Sequence, residues 1–277
     1  MMRISTMVKP RTNTVRAGLA EGRLLAGPVM QVASPELIEM AGAAGFDFVW
    51  IDCEHGAFHL ETAVHMLRAA DAVGLTALVR VPDQTPSLIM RVLDAGAQGV
   101  VVPNVSDGAQ AQAVVDAARY RQDGGSGRRG ACPGTRASWH QTEDWPAFSR
   151  QANADVLVWV LIESPAAVRN IDEILQVPHL DGVALGPFDL AHDMGFPGEV
   201  DHPEVQASLD EVVNRAQERG VEVIASLFSP DPQGMARERA RWAARGIRLF
   251  SIGSDRRLIV RAMRERRAAI GTDPEGT

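Results

Sequence analysis

Short apolar runs alternate with longer amphipathic stretches along most of the chain. GPVMQVAS (27–34) predicts a first strand, and Ser34-Pro35-Glu36 a helix start, with Ser as N-cap and Pro at the first helical position. That helix, 35–44, closes at Gly45. FDFVWID (46–52) is a second strand, LETAVHMLRAADAVG (60–74) a helix closed by Gly74, and TALVRVP (76–82) a third strand. A helix over 85–95, the strand QGVVVPNV (98–105) and a capped helix over 106–120 continue the alternation.

Residues 121–150 interrupt it. The segment is rich in Gly, Arg and Trp and has no clean period, the signature of a long functional or irregular loop. The rhythm then resumes: ADVLVWVLIES (154–164), helix 165–175, DGVALGP (181–187), a turn through 188–202, helix 203–219, VEVIASLF (221–228), helix 231–244, IRLFSIGSD (247–255) and a last helix, 255–269.

Eight strands result, seven of them clearly followed by helices. Their apolar runs are continuous and β-branched, which suits parallel strands buried on both faces. The economical reading is an α/β fold, a closed (β/α)8 barrel. An open doubly wound sheet is the alternative, weakened by the lack of a G-x-G-x-x-G after the first strand. Residues 1–23 read as an irregular lead-in, 24–255 as the barrel and 256–277 as a C-terminal helix and tail. No boundary divides the chain into two domains.

Composition narrows this further. The 277 residues suit one barrel. A net charge of -7 argues against a general nucleic-acid binder, though local arginines could still receive an anion. Two cysteines, Cys53 and Cys132, cannot staple a fold of this size, and they lack metal or redox spacing. No apolar run approaches the roughly 20 residues of a membrane span. The N-terminus lacks the apolar core of a secretory signal, so a cytoplasmic protein is expected.

Barrel enzymes place their chemistry where strands end. Those ends supply Asp52, Glu54 and His55, then Arg80, Asn104, Glu163, Asp189, Ser226 and Asp255, with Asp94 on the helix before the fourth strand. Glu163 and Asp189 could hold a divalent cation whose other positions are filled by water and substrate. Equally, both could be helix caps. Asp52 could hold the tautomer of His55 and raise its basicity. Arg80 sits in an apolar strand and needs a partner, either an anionic substrate or a salt bridge to Asp52 or Asp94. Gly186 would let backbone approach a ligand, with Phe188 and Asp189 as amide donors beside a Pro187 that has none. Arg128 and Arg129 either close over an anion or form a solvated turn. Lys9 is the one lysine and precedes the first strand, which excludes a Schiff-base aldolase mechanism.

FDFVWIDCEHG, LVRVP, LDAGAQGVVVPNV, RRG…TRAS, LIESPAAVRNIDEI and DGVALGPFDLAHDMG follow one another in this order. Together they resemble the class II, metal-dependent pyruvate aldolases of the phosphoenolpyruvate/pyruvate barrel superfamily. This is the family of 2,4-dihydroxyhept-2-ene-1,7-dioate aldolase and 2-dehydro-3-deoxyglucarate aldolase, and the likeness runs from about Leu24 to Asp255.

The resemblance implies that Glu163 and Asp189 bind Mg²⁺, Mn²⁺ or Co²⁺, and that pyruvate chelates this metal. It implies that Arg80 contacts the keto oxygen, and that His55, supported by Asp52, acts as acid and base with bound water. Asp94 would orient that pair from a neighbouring subunit or strand, and the Phe188 and Asp189 amides would hold the substrate carboxylate. It further implies a homo-oligomer, a hexamer built as a trimer of dimers, with the C-terminal helix swapped between barrels. The substrates implied are a 4-hydroxy-2-oxo acid on one side and pyruvate plus an aldehyde on the other.

The chain departs from the pattern at Leu161, where glutamine is common, at Phe188, where a small residue is common, and in the loop RGACPGTRAS. These changes lie near the pocket and bear on the acceptor aldehyde. The rival readings are a CoA-ester lyase of the same superfamily, a non-catalytic metal- or oxo-acid-binding barrel and, last, a phosphate-binding isomerase.

Overall fold

The computed structural model describes residues 13–140 and 142–270. Lys9 and the tail from 271 onwards lie outside the described residues. Eight parallel strands close into a barrel in sequence order, β1 to β8, with β1 pairing β8. No helix among the described residues is long and apolar enough to cross a membrane.

In chain order the elements are α1 (Thr14–Ala20), β1 (Leu25–Met30), α2 (Pro35–Ala43), β2 (Phe48–Asp52), α3 (Leu60–Val73), β3 (Thr76–Arg80), α4 (Pro86–Asp94), β4 (Gly99–Val102) and α5 (Gly108–Ala118). They continue with α6 (Trp145–Asp155), β5 (Leu157–Ile162), α7 (Pro165–Arg169), α8 (Ile171–Leu175), β6 (Gly182–Leu185), α9 (Pro187–Asp193), α10 (Pro203–Glu218), β7 (Glu222–Ser226), α11 (Pro232–Ala243), β8 (Leu249–Ser254) and α12 (Asp255–Ala269).

Two apolar layers hold the barrel. One lies between strands and helices, with Val79, Val100, Val160 and Val183 facing out. The other fills the interior with Phe48, Trp50, Leu78, Trp159 and Leu249. Glycines make room for the large rings. A Cβ on Gly182 would lie 2.1 Å from the Trp159 ring, and one on Gly27 2.8 Å from the Phe48 ring. Truncating a buried ring of this kind costs about 3–5 kcal/mol.

Four expectations need correction. Residues 14–20, read as irregular, form α1: Asn13 caps it by accepting from the Arg16 amide, and Val15 and Leu19 pack into the interior layer. Within 121–150 the chain turns into α6, started by Asp144 as N-cap and Pro146 in its first turn. The turn expected through 188–202 opens as α9. The helix expected over 165–175 divides at Asn170 into α7 and α8.

Candidate active site

The last residues of β2 and β3, Asp52 and Arg80, are register partners. Adjacent parallel strands therefore place a carboxylate beside a guanidinium without any loop. Arg80 Nε donates to Asp52 Oδ1 at 2.9 Å and its Nη2 to Oδ2 at 2.6 Å. Gln31, just past β1, donates to the same Oδ2 at 2.8 Å, and the Glu54 and His55 amides donate to Oδ1. Burial alone would raise the Asp52 carboxyl, but Arg80, Gln31 and the His55 amide outweigh it and hold it below its ordinary value.

Asp52 thus reaches His55 through the backbone amide, because its side chain is taken by Arg80 and Gln31. The imidazole itself is 59% exposed, and an acid within 4 Å of it is Glu54, whose Oε2 stands 3.7 Å from Nε2. The same Glu54 oxygen meets Arg80 Nη1 at 2.8 Å. Burial raises the Glu54 carboxyl despite Arg80 and His55. Glu54 bridges guanidinium and imidazole, a role its place in IDCEHG had not distinguished from Asp52. Gln31 was also missed, although the strand-end rule applied to the first strand would have found it.

Glu163 follows β5, and its Oε1 accepts the Asn104 amide at 2.6 Å. Asn104 has φ 60°, a left-handed conformation that asparagine tolerates better than most residues. The capping alternative is closed for both acids. Ser164 caps α7 with its own hydroxyl, and α9 has Gly186 as N-cap with no side-chain cap. Among the described residues neither Glu163 nor Asp189 has an ion-pair partner. Burial, with Glu54 and Asp189 adding repulsion against the Asn104 amide and Arg80, pushes the Glu163 carboxyl up to about 7. A Cβ on Gly186 would fall 2.5 Å from the Glu163 Cβ, so the chain can pass this acid between β6 and α9 only with glycine there.

A buried carboxylate with acidic neighbours and no counter-ion fits a cation. The donors are hard oxygens, suited to Mg²⁺ or Mn²⁺. No cluster of three or more acidic, His or Cys ligands occurs among the described residues. Water and substrate would therefore complete the coordination.

Beside these acids opens a cavity of about 420 Å³. His55, Arg80, Gly186, Phe188 and Asp189 line it, as does Leu161. Phe188 is half exposed and meets Phe228 edge-on at 5.1 Å. Asp94 is elsewhere in the protomer. It is the last residue of α4, which returns towards the strand N-termini, and its carboxylate accepts from Arg129 at 2.8 Å. Arg129 also lies over the Tyr120 ring, and the exposed Arg128 pairs loosely with Asp116. Neither arginine lines the cavity. Asp255 ties β1 to α12 by accepting the Gln31 and Val32 amides, and Cys53, whose thiol burial pushes up to about 12, is inert packing.

A closed barrel with an acidic pair and an arginine at its C-terminal rim defines a metal-assisted carbon–carbon lyase of the class II pyruvate aldolase type. The chain belongs to the HpcH/HpaI aldolase/citrate lyase family, whose profile matches residues 29–262. A 2-keto-3-deoxy-L-rhamnonate aldolase from Klebsiella pneumoniae subsp. pneumoniae is 32% identical over 262 residues, 95% of this chain and 94% of that protein. An HpcH/HpaI aldolase/citrate lyase family protein from Burkholderia cenocepacia J2315 superposes with TM-score 0.85 at 29% identity, covering 94% of this chain and all of that one. The citrate synthase SbnG superposes with TM-score 0.83, also at 29% identity, over 93% and 97% of the two chains.

Proposed function

We propose that this chain reversibly cleaves a 4-hydroxy-2-oxo acid to pyruvate and an aldehyde. The observation that carries the reading is the buried Glu163, without an ion-pair partner among the described residues, beside the Asp189 and Arg80 that line the cavity. Glu163 and Asp189 would hold Mg²⁺, Mn²⁺ or Co²⁺. A divalent cation there supplies electrophilic stabilisation of negative charge on the 2-oxo oxygen.

In the cleavage direction His55 takes the proton of the 4-hydroxyl. The C3–C4 bond breaks, C4 leaves as the aldehyde carbonyl, and the electron pair enters the enolate of pyruvate. Arg80 is already fixed by Asp52 and Glu54, so its guanidinium meets the developing oxyanion without reorganising. The proton held by His55 then passes to C3 through water, giving pyruvate. Glu54 Oε2, 3.7 Å from the imidazole Nε2, helps hold the ring in place between these steps. The first-turn amides of Phe188 and Asp189 have no intrahelical acceptors, so they can receive the substrate carboxylate.

We assign Asp94 to the site of a neighbouring barrel, and the assembly to a hexamer with α12 exchanged. Exposed Val260 and Met263 on α12, with Ile270 just past its end, support burial against another copy. The partners are small molecules, and a cytoplasmic location follows from the same reading.

The test is pyruvate release from a panel of 4-hydroxy-2-oxo acids with Mg²⁺, Mn²⁺ or Co²⁺, and with EDTA. Release that EDTA abolishes and metal restores is the expected result. Folded, metal-loaded protein that releases no pyruvate from any of them, yet cleaves a CoA-ester or condenses an oxo acid, would overturn the reading.

A further inference from the structure

Gln31, the first residue past β1, lines the cavity and joins three elements at its rim. Its backbone is held by the first turn of α12. Asp255 Oδ1 accepts the Gln31 amide at 3.0 Å and Oδ2 the Val32 amide at 2.9 Å. Arg256 Nη2 donates to the Gln31 carbonyl at 2.9 Å, and Nη1 to the His55 carbonyl at 3.2 Å. With the peptide groups on both sides clamped, the Gln31 side chain leaves from a fixed point. Its Nε2 reaches Asp52 Oδ2 at 2.8 Å. An ionised carboxylate only accepts, so the amide nitrogen must face Asp52 and Oε1 must face away.

This contact decides how the fully buried Asp52 is held. Its Oδ1 receives the Glu54 and His55 amides at 3.1 and 3.3 Å. Its Oδ2 receives only Arg80 and Gln31 among the described residues. The two-bond fork ties the guanidinium to the carboxylate, but it cannot orient the pair as a unit. Groups other than Arg80 must fix both oxygens, and on Oδ2 that group is Gln31. Glu54 meets Arg80 Nη1 at 2.8 Å as an ion pair, yet that carboxylate oxygen has no hydrogen bond among the described residues to anchor it. Without Gln31 the Asp52–Arg80 pair is free to swing about Oδ1. A displacement of about 1 Å in an active site can cost about 10²-fold in rate.

On the reading that Arg80 meets the developing enolate oxygen, we propose that Gln31 is a positioning residue for the reaction. Anchored by the first turn of α12, it fixes Asp52 and, through Asp52, the aim of the Arg80 guanidinium.

The experiment is a double-mutant cycle on pyruvate release, using Gln31→Met, which keeps the length and removes the donor, in wild type and in Arg80→Lys. In the wild-type background kcat should fall by about ten-fold, the weight of one hydrogen bond to a charged group, with KM within about two-fold. In Arg80→Lys the fork is already lost, so the same substitution should lower kcat by less than about three-fold. Gln31→Asn keeps the amide but is one methylene too short for Asp52, and should match Gln31→Met, standing in for it if the methionine variant fails to fold. Turnover near wild type in the single variants overturns the proposal. So does an equal loss in both backgrounds, the result of a purely structural role.

Calorimetric binding of oxalate, a planar mimic of the pyruvate enolate, to the Mn²⁺-loaded protein separates this from the aldolase reading. Gln31→Met should weaken oxalate by at least about five-fold and pyruvate by less than about two-fold, because positioning favours the charged form. If no 4-hydroxy-2-oxo acid releases pyruvate while oxalate binding weakens in this way, the reaction is wrong and the positioning role stands. Oxalate affinity unchanged by Gln31→Met sinks the role whatever the reaction.

Discussion

The two ends of the barrel use the same residue types to opposite ends. At the strand N-termini, Asp181 accepts from Arg16 at 2.7 Å, from Arg119 at 2.8 Å and from the Val158 amide. Arg119 further donates to the Val156, Asn153 and His179 carbonyls. Asn13 ties α1 to the Gln98 and Asp155 carbonyls. That end is locally matched in charge: its acid meets two cations, and of the Arg119 nitrogens only the buried Nε lacks a partner among the described residues. At the C-terminal rim, Asp52, Glu54 and Glu163 share the guanidinium of Arg80, and Asp189 adds further negative charge beside Glu163. A fold that matches its charges at one end and leaves an excess of acid at the other marks the second end as the chemical one.

The largest way to break this contrast is at Arg80. Arg80→Ala would strand the fully buried Asp52 carboxylate and unfold as much as it inactivates. Arg80→Lys keeps the charge and loses the fork. We expect kcat/KM to fall by about 10²–10³-fold, the usual loss of one oxyanion donor, with the chain still folded. Turnover near wild type, with folding confirmed by circular dichroism, would remove Arg80 from the reaction.

Much of this rim was legible in the sequence because strand-end chemistry depends only on finding the strands. Val-Val-Val in β4 and Leu-Val-Trp-Val-Leu-Ile in β5 are unmistakable parallel-strand runs. Asp52, Arg80, Glu163 and Asp189 followed directly. Partner choice was not legible: Asp52 could serve His55 or Arg80, and the β2–β3 register decides for Arg80. The missed helices share a cause. Only Ser149 is buried in α6, and α1 and α9 span two turns or less, so none offers a stripe long enough to show a period.

A sharper comparison comes from pH in the metal-free chain. The Glu163 carboxyl stands at about 7 when folded and near 4.5 when unfolded. Between those values the folded chain holds the extra proton, so stability falls as pH rises, and the loss is complete above about 7. It amounts to roughly 3 kcal/mol. Urea unfolding in EDTA at pH 5 and pH 8 should show this loss, and Glu163→Gln should remove most of it. Asp52, held low, acts in the other direction and only at acid pH, where its stabilisation is lost as pH falls through its folded value. Equal slopes for wild type and Glu163→Gln would mean the acid is not desolvated as the structure places it.

The smallest expected effect tests the matched end. Asp181→Ala removes the common acceptor of Arg16 and Arg119, leaving Arg119 largely buried with only carbonyls. The Asp181 side chain is 14% exposed, so water partly screens the loss. We expect roughly 2 kcal/mol of destabilisation, below the full cost of breaking a dry pair. Activity at 25 °C should stay within about two-fold, because α1 and the β6 entrance lie a barrel's length from the cavity. Should Asp181→Ala instead lower kcat as Arg80→Lys does, the two ends are mechanically coupled through β5 and β6. The division between a matched, structural end and an unmatched, chemical one would then fail. The readout that separates these outcomes is the pair of numbers from one protein preparation, the urea midpoint and kcat, since a purely structural loss moves the first and leaves the second in place.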